Sequence, residues 1–192
     1  MGRIQLLLSV VGVTVLMGAL VGSARARNLS TTSQTVTATF SRVEFIGGFN
    51  TVRCSFTMAS SLHARTITKI PGALVGYVTA ASVGGCDTGS ATVLAGTLPW
   101  HMIYSGFTGA LPNVTGFRVN VIGAGIRIRE PTGFECLFFS TTATPLTRLE
   151  RIVATVLNLV SLGGTGPCSG ITGTISGTSN SLSPGEIRFT LI

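Results

Sequence analysis

Few side chains in this 192-residue chain could carry chemistry: His63 and His101, one aspartate (Asp87) and five glutamates (Glu44, Glu130, Glu135, Glu150 and Glu186). A nucleophilic triad sets an imidazole between a nucleophile and a carboxylate. Here it would have to use His63 or His101 with Asp87 or a glutamate, and no G-x-S-x-G elbow accompanies them. Glu130 and Glu135 flank Pro131-Thr132-Gly133, a nonspecific version of the two-carboxylate arrangement of glycoside hydrolysis. Neither H-E-x-x-H, an EF-hand loop, a P-loop nor G-x-G-x-x-G occurs. The expectation is a protein with no metal and no cofactor. A hydrolase using His101 or His63 with a glutamate is kept as the catalytic alternative.

The four cysteines, Cys54, Cys86, Cys136 and Cys168, form no C-x-x-C pair, so zinc ligation and thioredoxin-like redox work are disfavoured. An even count in an exported chain reads as two disulfides. Three pairings are open, of which the sequential one closes two equal loops. Superposing the halves at an offset of 82 also aligns Phe56 with Phe138 and Ile70 with Ile152, the pattern of a degenerate duplication.

Export is read from the N-terminus. Arg3, an apolar run from Ile4 to Val21 and the small-x-small site Ala24-Arg25-Ala26 have the three parts of a signal peptide over residues 1–26. No later segment is apolar for long enough to span a bilayer, so no membrane span is expected after cleavage. Residues 27–192 are then one secreted domain, extracellular or held at the cell envelope.

Two groups could bind rather than catalyse. Leu98–Phe107 is the densest aromatic stretch and holds Trp100, His101 and Tyr104. It reads either as a glycan-binding platform or as core with Tyr104 bonded to backbone. Thirteen basic residues against six acidic ones give a net charge of +7, nearly all of it arginine. Arg118, Arg127, Arg129 and Arg188 alternate with apolar neighbours, so they suit a solvated sheet face or one that attracts polyanionic surface material without reading nucleic-acid sequence. Asn28-Leu29-Ser30 and Asn113-Val114-Thr115 match the N-glycosylation pattern.

The elements that must position these groups are strands. Apolar residues recur with period two at Val36-Ala38-Phe40, Val52-Cys54-Phe56-Met58, Phe117-Val119-Val121, Phe134-Cys136-Phe138 and Ile187-Phe189-Leu191. Gly-Gly, Pro-Gly and Gly-x-Gly turns separate them. Leu149–Val160 has helical spacing, but its β-branched residues favour a strand. The fold expected is an all-β, disulfide-stapled β-sandwich, with a small β-barrel as the alternative.

Cys54-Ser55-Phe56, Leu98-Pro99-Trp100-His101, Leu111–Thr115, Glu135-Cys136, Gly166-Pro167-Cys168 and the ending Thr190-Leu191-Ile192, behind a signal peptide, resemble exported two-disulfide β-rich proteins of high-GC Gram-positive bacteria. The resemblance covers most of the chain after residue 26. It implies export and a stapled β fold, and it carries over no activity, catalytic residue or ligand residue. The functional expectation is non-catalytic: surface binding, or self-association through apolar strands such as Ile187–Ile192. A small-ligand carrier is a further alternative if the strands enclose an open interior.

Overall fold

The computed structural model describes residues 28–47, 50–110, 114–141, 148–150, 156–158, 162–185 and 187–192. For 148–150 and 156–158 only the backbone is considered. The expected leader and the Asn113 acceptor lie outside the described residues.

The described residues are all-β, with two short 3₁₀ turns (Ala95–Thr97 and Gly166–Cys168) and no α-helix. The strands are β1 (Asn28–Thr31), β2 (Thr35–Ile46), β3 (Thr51–Leu62), β4 (Thr66–Thr68), β5 (Leu74–Gly84), β6 (Ser90–Val93), β7 (Trp100–Thr108) and β8 (Gly116–Ile122). The second half adds β9 (Gly125–Arg129), β10 (Glu135–Phe139), β11 (Arg148–Glu150), β12 (Val156–Asn158), β13 (Leu162–Thr165), β14 (Thr172–Thr178), β15 (Ser181–Ser183) and β16 (Phe189–Leu191). One antiparallel sheet runs β6-β9-β10-β13-β14-β2-β3-β5-β7-β8 and curls into a half-barrel, with β15 on β2 and β12 on β14. A second, three-stranded sheet, β16-β1-β4, packs across its interior.

Strand parity builds the core. Ala38, Phe40, Val43 and Phe45 on β2, Val52, Cys54, Phe56 and Met58 on β3, and Val119 and Val121 on β8 are all buried. Between Phe40 and Val43 the register shifts by a bulge, which moves β2 from even to odd inward positions and bends it. Further shifts occur in β3–β5, β5–β7 and β7–β8. These bends let one hydrogen-bonded ladder wrap a single interior.

Leu149–Val160, expected as one strand, is instead two: β11 and β12 pair antiparallel, with Leu149 opposite Leu157. Residues 151–155 and 159–160 of that segment lie outside the described residues.

The cysteines pair sequentially, Cys54 with Cys86 and Cys136 with Cys168. The two bridges occupy matching places. β2-β3-β5 and β9-β10-β13 are each antiparallel triplets. In each, a buried cysteine of the middle strand joins a cysteine just past the end of the third. In both cases further strands come between the middle and the third strand in sequence, β4 in the first triplet and β11 and β12 in the second. The duplication suggested by the 82-residue offset has this topological counterpart.

Candidate functional site

The aromatic stretch at 98–107 is divided by strand parity. β7 turns Trp100, Met102 and Tyr104 inward and His101, Ile103 and Ser105 outward. Trp100 is 0% exposed and Tyr104 2% exposed, so these two belong to the core and do not form a platform with His101. The indole N–H of Trp100 donates to Thr97 Oγ1 at 2.9 Å, the same hydroxyl accepts Gly125 N–H at 3.2 Å, and it donates to Leu94 O at 2.7 Å. Burial disfavours the tyrosinate and pushes the Tyr104 hydroxyl above its ordinary value of 10.0.

His101 has other company. On the outer side of the large sheet Tyr77 of β5 lies directly opposite it, with ring centroids 5.3 Å apart at 61°. His63, one residue past β3, stands on the other side of Tyr77 at 4.9 Å and 54°. Both histidines of the chain therefore flank one tyrosine in an open row on a solvent-facing sheet.

Two local features place that row. The amide of His63 donates to Val75 O at 2.9 Å, which fixes the end of β3 against β5. Gly76 sits opposite Leu62 beside a bulge. A Cβ there would fall on the Ser61 carbonyl oxygen and within 2.8 Å of the Met102 methyl. Glycine at 76 thus permits the close strand approach that sets Tyr77 between the imidazoles.

A cleft of about 350 Å³ lies on the same side of β7 and β8, lined by Ile103, Ser105, Asn120 and Ile122 and walled by Pro71-Gly72. The wall is hooked to β7, since Gly72 N–H donates to Tyr104 O at 2.9 Å and Tyr104 N–H to Ala73 O at 2.8 Å. His101 is paired with Ile122, and Leu74 with Ile103, so ring row and cleft are adjacent rungs of one face.

The arginines do not share one face. Arg127 and Arg129 are exposed on β9, but Arg118 is half-buried on β8, beyond the corner the chain turns at Gly123 (φ +83°). Seven strands lie between β8 and β9 in the sheet order, which sequence alternation alone could not reveal. Arg127 Nε pairs with Glu135 Oε1 at 3.2 Å, and Arg53 Nε with Glu44 Oε1 at 2.8 Å. The Arg53 guanidinium, donating to Glu44, holds that carboxyl below its ordinary value and is itself raised.

Glu44, Glu130 and Glu135 are committed away from the histidines, while Glu186 and the side chain of Glu150 lie outside what is described. Glu130 is buried and accepts Asn50 N–H at 3.1 Å and Asn50 Nδ2 at 3.0 Å, which ties down the entry to β3. Glu135 points outward on β10 to Arg127, so Glu130 and Glu135 do not face each other across a cleft. Among the described residues no three His, Cys, Asp or Glu side chains gather to hold a metal ion, and no helix is long and apolar enough to cross a membrane.

Sequence reasoning named His63 and His101 but not Tyr77. Its outward direction follows from its place next to buried Val78. Its pairing with His101 depends on the β5–β7 register, which has no local signature. No protein-family model, curated protein or solved structure matches the chain.

Proposed function

We propose that this is an exported, non-catalytic binding protein that engages glycan polymers of an extracellular or cell-envelope surface through the outer face of β5, β7 and β8. The observation that carries this is the row His63–Tyr77–His101 on an open sheet beside an uncharged cleft. Aromatic faces pack on the apolar C–H faces of sugar rings, and the phenol and imidazole edges supply hydrogen bonds to hydroxyls. An open row suits a run of polymer better than a single enclosed sugar. The two disulfides and the N-terminal sequence pattern support export.

The test is retention on washed insoluble glycans (cellulose, chitin and peptidoglycan sacculi) by wild type and Tyr77→Ala. Retention of wild type on at least one, weakened about tenfold or more in the variant (roughly 1.4 kcal/mol) at unchanged melting temperature, supports the proposal. No retention on any glycan, or equal retention by the variant, overturns it.

Self-association is the second reading, and one observation favours it. Among the described residues β16 is the outer strand of the small sheet, paired only with β1, and Ile192 beside it is 55% exposed. An open edge with an exposed apolar residue can template a second chain. Light scattering showing monomer alone across a hundredfold concentration range removes this reading.

A further inference from the structure

Between the two sheets lies a slot that the outer face does not use. Its volume is about 70 Å³. One wall is the inner side of the large sheet, with Leu62, Met102 and Val119, and the other is the small-sheet side, with Ile187 and Phe189. Phe189 stacks on Phe117 at 4.6 Å and 15°, which gives one end a flat apolar surface. Among the described residues, Gln34 and Ser60 are the only polar ones of the lining, and no charged one contributes. Both already donate to backbone, Gln34 Nε2 to His63 O at 3.5 Å and Ser60 Oγ to Val36 O at 3.3 Å. Met102 and Val119 are buried, whereas Gln34, Val36 and Leu182 are half-buried, so the slot runs from a mouth at Gln34 and Leu182 into the core.

We propose that this slot binds a single straight alkyl chain, methyl end inward, with its polar end at Gln34. Water is a poor occupant, because it needs two to four polar partners and the walls offer almost none. At 10–15 Å³ for each water-sized centre, the slot has room for roughly five. That suits the last several methylenes of an aliphatic chain. A branched or polycyclic ligand would have to part the two sheets. The inference is independent of the glycan reading, since its residues face the opposite side of the large sheet from Tyr77.

The experiment uses the full secreted protein labelled with ¹³C at methionine methyls and titrated with 1-hexanol, 1-octanol and 1-decanol. Met102 lines the slot, while Met58, equally buried, is not among the lining residues and serves as the internal control. The expected result is a saturable shift of the Met102 methyl with Met58 unmoved. Affinity should tighten by roughly fourfold per added methylene until the slot is full. Leu182→Trp, at the mouth, should weaken binding at least tenfold, and Tyr77→Ala should leave it unchanged. If the Leu182 variant does not fold, the wild-type titration decides alone. No Met102 shift, equal shifts at Met58, or affinity that does not grow from hexanol to octanol overturns the proposal.

Discussion

Tyr77 and His101 face one another across the β5–β7 pair with ring centroids 5.3 Å apart, on the solvent side of strands whose other side buries Val78 and Trp100. Adjacent residues of one strand thus have opposite duties. Trp100→Ala should cost about 3–5 kcal/mol, as expected for a fully buried aromatic. His101→Ala should stay within about 0.5 kcal/mol, because it removes an exposed side chain. Urea unfolding of both variants checks the contrast, and comparable losses would contradict the assignment of faces.

Thr97 joins the core tryptophan to the start of β9. Its hydroxyl accepts from Trp100 Nε1 and Gly125 N and donates to Leu94 O. Thr97→Val keeps the shape and removes all three bonds. Two donors then lose their acceptor, at about 1–3 kcal/mol each if they stay dry. Thr97→Ser should recover most of the loss, and failure to do so would point to the methyl group instead.

The Glu44–Arg53 pair gives stability an acid limb. Because Glu44 ionises below its ordinary value of 4.5 in the folded chain, its contribution is present above that pH and is lost as pH falls through the lowered value. Both side chains are about 40% exposed, so the effect is small. Melting temperatures of wild type and Glu44→Gln should differ near neutrality and converge in acid. Tyr104 acts at the other end. Its raised value means that stability falls as pH climbs past 10, where the unfolded chain ionises first. Tyr104→Phe should flatten that alkaline decline.

Each disulfide spans 32 positions, and closing a loop of that size stabilises by about 3–4 kcal/mol in the chain-entropy model. Cys54→Ala/Cys86→Ala and Cys136→Ala/Cys168→Ala should each lower the melting temperature by several degrees, and by similar amounts. Calorimetry of both double variants tests this. A large inequality would show that one triplet depends on its bridge far more than the other.

Inside and outside were legible in the sequence wherever alternation ran unbroken. Cys54, Phe56 and Met58 are buried as their spacing demands, and so are Phe117, Val119 and Val121. Alternation misleads at bulges. Val75 and Gly76 are consecutive and both buried, because the β5–β7 register shifts between Leu74 and Gly76. In the small sheet only the strand at 189–191 had a local signal, the Ile187-Phe189-Leu191 alternation; the short strands 28–31 and 66–68 had none, and the three meet only through long-range pairing. The ring row escaped for the same reason: His63, Tyr77 and His101 are far apart in the chain, and only strand register assembles them.

The paired triplets have a practical consequence. In both halves extra chain is inserted in sequence at the same joint, short in one and about twice as long in the other, while the sulfur bridge clamps the strands on either side. Length can therefore vary at that joint without breaking the covalent frame. Foreign peptides spliced there would be displayed from an already locked base, which makes the joint the natural position for engineering new recognition into this protein.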